Sequence, residues 1–139
     1  MAPACRFCEI VEGREAAVTV YDDSVSIAFL DKRPLFPGHL LLIPRTHSET
    51  LTDLPPDSVE PLFLNARLLA AAVEKGLAVD GTLVLINNRV SQSVPHLHIH
   101  VIPRRRKDGL RGFLWPRGSY RDEAEMLAVR DAIAAALRT

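Results

Sequence analysis

Residues 95–105 read PHLHIHVIPRR, and three of the chain's five histidines, His96, His98 and His100, fall at every second position. Polar and apolar residues alternating over a β-branched stretch form a strand, whose successive side chains point to opposite faces. The three imidazoles are therefore expected on one face, roughly 6.5–7 Å apart along the strand. That spacing lets them line one pocket without being direct partners. Leu97, Ile99 and Val101 face a core. Pro103 has no N–H to give a ladder and is expected to end the strand.

Three more segments flank this one as candidate strands: VSIAFL (25–30), HLLLIP (39–44) and TLVLIN (82–87), all apolar or alternating. Between the second and third, residues 57–76 place Leu62, Leu64, Leu68, Leu69 and Val73 near helical spacing. Asp57 and Glu60 suit the positive end of that helix, Gly76 suits its C-terminal cap, and Pro61 limits its start to shortly before it. A second helix fits RDEAEMLAVRDAIAAALR (121–138), with Met126, Val129, Ile133 and Leu137 on one side. The order β, β, α, β, β, α predicts an α+β domain with a mainly antiparallel sheet.

The chain has 139 residues, 47% of them hydrophobic, with 17 basic and 17 acidic side chains and no formal net charge. That suits one soluble domain over 1–139 and gives no global field that would favour nucleic acid or an anionic membrane as partner. The N-terminal MAPACRFCEIVEG lacks a signal-like apolar run, and no stretch approaches the roughly 20 apolar residues of a spanning helix. A cytoplasmic location follows as an expectation. In that reducing setting Cys5 and Cys8 are expected as metal ligands or free thiols rather than as a structural disulfide.

Two chemistries suit the histidine row. His-x-His is a zinc-ligand pattern, and a catalytic zinc needs a third ligand and an open position. Alternatively, a neutral imidazole is a nucleophile toward phosphorus at pH 7, and further imidazoles can donate to phosphoryl oxygens.

HLHIHVI also matches the His-φ-His-φ-His-φ-φ signature (φ apolar) of the histidine-triad superfamily. CRFCEIVEG, FLDKRPLFPGHLLLIPRTH (29–47) and SQSVP resemble the same family, in the same order, over about residues 5–106. The chain looks closest to the bacterial branch of nucleoside phosphoramidases and dinucleoside polyphosphate hydrolases. The resemblance implies a triad-containing core over 5–106, followed by a basic loop and helix over 107–139.

For mechanism, the resemblance implies that His98 attacks the α-phosphorus of a nucleotide to form a nucleotidyl-histidine, which water hydrolyses. His100 and His39 then donate to phosphoryl oxygens, and Gln92 and Ser93 touch the phosphate and leaving group. Asp31 binds the ribose hydroxyls, and Phe7, Ile10 and Asn87 wall the nucleoside. Cys5, Cys8, His47 and His96 hold a structural zinc, which removes His96 from proton transfer; no organic cofactor is implied. A homodimer with no membrane or nucleic-acid partner completes the expectation. The alternative is a non-catalytic protein that binds or senses purine nucleotides.

Two departures from the family pattern concern the loop before the triad, where Arg89 and Ser91 replace glycines and the loop is shorter by about two residues. Glycine permits backbone angles that both replacements resist. Beyond the triad, Arg104, Arg105, Arg106, Lys107, Arg111 and Arg117 surround Phe113 and Trp115. This tract suits either a solvated basic loop or a phosphate-holding one, and Trp115 is a candidate to complete a partner subunit's pocket.

Overall fold

The computed structural model of the protein describes residues 4–110 and 117–137. The chain gathers into two compact units, Met1–Arg106 and Lys107–Thr139. In order, the first unit carries helix α1 (Arg6–Val11), strands β1 (Thr19–Asp22), β2 (Ser26–Leu30) and β3 (Leu40–Pro44), a 3-10 turn (Leu51–Asp53), helix α2 (Pro56–Leu77), and strands β4 (Gly81–Ile86) and β5 (Ile99–Arg104). The second carries helix α3 (Glu123–Leu137), whose Met126, Val129, Ile133 and Leu137 stay exposed. Arg111, Phe113 and Trp115 lie outside the described residues.

The fold is α+β. Its sheet is wholly antiparallel, in the order β1-β2-β3-β5-β4. The strands β2 and β3 are apolar nearly throughout because both of their faces are covered. One face meets α2 through Leu40, Leu42, Leu62, Leu69, Leu97 and Ile99. The other meets the N-terminal segment through Phe7, Ile10, Phe29, Leu41 and Ile43. The alternation read from residues 96–101 holds: Leu97, Ile99 and Val101 are fully buried against α2. The histidines take the opposite face, toward α1.

Five differences from the sequence expectation are seen. The short edge strand β1 and the six-residue α1 were not anticipated. The first is mostly exposed, and the second is capped by a sulfur rather than by the usual oxygen, since Cys5 Sγ accepts from the Cys8 N–H at 3.4 Å. Pro103 lies inside β5 rather than ending it. The pairing of β3 with β5 stops at Leu40–Val101, so Pro103 has a neighbour on one side only, where a missing N–H is tolerated. Pro61 sits in the second turn of α2, which begins five residues earlier at Pro56.

The fifth difference is the cap of α2. Gly76 is helical, and the left-handed cap is Ala78, with φ +50°. Gly76 is exposed, and a Cβ there would meet nothing within 4 Å. Glycine costs roughly 0.5–1 kcal/mol in a helix interior, and a left-handed alanine costs about as much against glycine. The exchange Gly76→Ala with Ala78→Gly is therefore expected to stabilise the protein by about 1–2 kcal/mol, read as a higher urea midpoint with an unchanged m-value. Arg105 already assists this helix end, donating to the Leu77 and Ala78 carbonyls at 3.2 Å.

Candidate active site and metal centre

The turn that presents His39 depends on Gly38, whose φ is +102° and where any Cβ would collide with the Leu77 side chain. His39 is buried at the start of β3, beside His100 on β5. The Leu35 N–H donates to His39 Nδ1 at 3.1 Å, which fixes the proton of a neutral ring on Nε2. That Nε2–H donates to His100 Nδ1 at 2.9 Å, so the His100 proton sits on Nε2. Asp31 Oδ2 lies 3.7 Å from His39 Nε2.

His98 has the opposite polarity. Its Nδ1–H donates to the His96 carbonyl at 2.7 Å, leaving Nε2 without a proton. The ring lies edge-to-face with Phe7, centroids 5.1 Å apart at 89°, and 4.9 Å from the His100 ring. Side chains thus lean closer than the backbone spacing suggested.

Burial pushes all three imidazoles below their usual pKa. His100 falls to about 4, helped by its His98 and His39 neighbours, while His39 and His98 fall despite the opposing pull of Asp31. The rings are neutral at pH 7.

A cleft of about 600 Å³ opens over this row. Phe7, Ile10, Phe29 and Leu41 give it apolar walls, while Asp31, Ser93, His98 and His100 supply polar groups. Such a mixture suits a ligand with a flat apolar part and a polar part. Arg6, Lys32 and Arg33 also line it. Sequence reading had given them no role, although Lys32 and Arg33 directly follow Asp31.

Of the expected catalytic and nucleotide-binding residues, His39, Asn87 and Gln92 are not among those lining the cleft; His39 is buried behind His100 and spends its Nε2–H on that ring rather than on a ligand. The Gln92 amide is committed to its own loop: its Oε1 accepts from the Arg89 N–H at 2.8 Å, and its Nε2 donates to the Glu49 carbonyl at 2.7 Å. This strap spans a strained backbone, for Arg89 (φ +70°) and Ser91 (φ +61°) are both left-handed. The glycine-like path survives without glycine, at roughly 1–2 kcal/mol per residue. Ser93 follows the strap into the cleft.

Cys5, Cys8, His47 and His96 converge on a second centre. Cys5 Sγ is 3.4 Å and Cys8 Sγ 3.6 Å from His96 Nδ1, Cys8 Sγ is 3.3 Å from His47 Nδ1, and the two Nδ1 atoms are 3.2 Å apart. A tetrahedral ion with bonds of about 2.3 Å to sulfur and 2.0–2.1 Å to nitrogen separates its ligands by about 3.6 Å (S to N) and 3.3 Å (N to N). The donor set fits zinc. His96 Nε2 donates to the Pro44 carbonyl at 2.9 Å, which turns the bare Nδ1 toward the centre and supplies the outer-shell partner that metal-bound imidazoles have. Without a cation, burial and the neighbouring Cys5 push the Cys8 thiol up to about 11.

A family model described as HIT domain matches residues 12–107. An uncharacterized HIT-like protein of Saccharolobus solfataricus is 42% identical over 101 residues, covering 71% of this chain and 73% of that one. An adenylylsulfatase of Arabidopsis thaliana is 36% identical over 108 residues, covering 76% of this chain and 55% of the relative. A solved structure, a zinc-bound histidine triad family protein from Mycobacterium smegmatis, has 37% identity and a TM-score of 0.73 over 96% of this chain and 97% of that one.

Proposed function

This chain belongs to the HIT domain family, and from that premise we propose that it is a nucleotide hydrolase acting at the α-phosphate of a nucleoside phosphoramidate or dinucleoside polyphosphate. It passes through a nucleotidyl-histidine on His98 and releases the nucleoside monophosphate. One observation carries this reading. The His96 carbonyl ties up His98 Nδ1–H, so the ring meets the cleft with a lone pair on Nε2. The name of the adenylylsulfatase relative, a protein acting on an adenylyl conjugate, lends support.

In the first step the Nε2–P bond forms, and the bond from phosphorus to the leaving group breaks, its electron pair departing with that group. The ring becomes a cation, which the His96 carbonyl stabilises through Nδ1–H. The His100 Nε2–H donates to a phosphoryl oxygen and is held in that tautomer by His39. Water then attacks phosphorus, the Nε2–P bond breaks, and its pair returns to His98. An amine leaving group takes one proton from solvent as its bond to phosphorus breaks, whereas a phosphate departs as its anion. In the second step the attacking water leaves one proton on the monophosphate and returns the other to solvent, so atoms and charge balance over the two steps.

The other residues fit around that chemistry. Asp31 accepts from the ribose hydroxyls, and Phe7 and Ile10 wall the base. Ser93 contacts the leaving group, and Gln92 holds the loop that presents it. Cys5, Cys8, His47 and His96 hold a structural zinc that ties the N-terminal segment to the catalytic strand. The protein works as a cytoplasmic homodimer. Exposed Phe63, Leu64 and Leu68 on α2, and the open edge of β4, support self-association.

Incubation with adenosine 5′-phosphoramidate, a tryptamine-linked adenylate and diadenosine tetraphosphate should release AMP from at least one. Nucleotide binding with no AMP from any of them would replace the enzyme with a binding protein.

A further inference from the structure

Among the residues lining the cleft are three cations, Arg6, Lys32 and Arg33, and one carboxylate, Asp31. Arg6 is already engaged, its Nε donating to Glu15 Oε1 at 3.0 Å. Lys32 and Arg33 are exposed, and among the described residues neither side chain has an acidic partner. Asp31 Oδ1 accepts from the Arg33 N–H at 2.9 Å, a local turn that holds the two cationic residues next to the carboxylate in the cleft wall.

The hydrogen-bond chain from Leu35 through His39 to His100 works only with both rings neutral. It can present a donor to phosphoryl oxygens but no net charge. An α-phosphate in ester or amide linkage carries one negative charge, and further phosphates or a sulfate carry more. Countercharge for those groups must come from elsewhere in the cleft. The free ammonium of Lys32 and the fork of Arg33, which can grip two oxygens at once, are the groups available.

We propose that Lys32 and Arg33 form a subsite for an anionic leaving group, so that anhydrides carrying additional phosphates or a sulfate are preferred over phosphoramidates with a neutral leaving group. This rests on the hydrolase reading and narrows its substrate class. Both cations stand at the surface, so their pull on the substrate weakens with salt over a screening length of roughly 8 Å at 0.15 M.

The test is the ratio of kcat/KM for diadenosine tetraphosphate to that for adenosine 5′-phosphoramidate, measured on the full chain. The wild-type ratio should exceed one and fall as salt is raised from 50 to 300 mM. Lys32→Ala with Arg33→Ala should lower it at least tenfold, and Lys32→Arg with Arg33→Lys should largely restore it. A merely structural role would depress both substrates together and leave the ratio where it was, which overturns the proposal. A wild type that cleaves the phosphoramidate but not the tetraphosphate also overturns it while leaving the hydrolase reading standing. Cleavage of neither substrate removes both.

Discussion

Replacing His98 with alanine is expected to lower kcat/KM on adenylylated substrates by at least about 10³-fold while nucleotide affinity stays within a few fold. The asymmetry follows from the division of the cleft. In the proposed mechanism, affinity comes from the walls around Phe7, Ile10 and Phe29 and from Asp31, whereas bond cleavage needs the one Nε2 lone pair that the His96 carbonyl leaves bare. His98 is buried, so a matched thermal melt and a second variant, His98→Asn, separate lost chemistry from lost folding. In the wild type, a brief reaction stopped in alkali, where a phosphorus–nitrogen bond survives, should add the mass of one nucleotidyl group to the protein. Turnover equal to wild type in His98→Ala would remove the mechanism.

The same environment sets the pH response. The catalytic imidazoles must be uncharged, and burial lowers the pKa of each, that of His100 to about 4. The acid limb of activity is therefore expected to lie below the ordinary imidazole pKa of about 6.5. An acid limb centred at about 6.5 would contradict this. Stability carries the same sign: the unfolded chain takes up these protons near pH 6.5 and the folded site resists them, so stability falls as pH drops from about 6.5 toward 4.

Removing the metal is expected to unfold rather than merely inactivate. Purified protein should carry about one zinc per chain. A strong chelator, or Cys8→Ser, should lower the melting temperature by at least about 10 °C, because four side chains from α1, the segment after β3 and the approach to β5 lose their common anchor. Loss of activity should track loss of structure. If chelation abolished hydrolysis while the melt stayed unchanged, zinc would be acting on substrate, and the histidine row would have to be reassigned as a metallohydrolase site.

The sheet was legible in the sequence because its signals were long and consistent. The apolar runs at 25–30 and 39–44 and the alternation at 96–101 leave one arrangement that buries all three segments, and the shared face of the histidines follows from the two-residue period. Helix α1 was not legible, since six residues are too few to show a 3.6-residue period and its cap is a thiol. The tautomers were hidden for a different reason. They are set by the backbone groups of Leu35, Pro44 and His96, which no side-chain pattern encodes. Gln92 shows the converse: its position in the chain suggested a ligand contact, and its amide closes a loop that two left-handed residues leave under strain.

Phe7 lies one residue before Cys8 and two after Cys5, with its ring against both His96 and His98. A single aromatic side chain thus forms a wall common to the Cys–His cluster and the cleft over the histidine row, so the proposed metal and nucleotide sites adjoin. Equilibria that share a wall are linked, and linkage runs equally in both directions. By whatever factor an ion in the sulfur–imidazole cluster raises the affinity for a nucleotide, a resident nucleotide raises the affinity for that ion by the same factor. Scarcity of either would then be felt at the other.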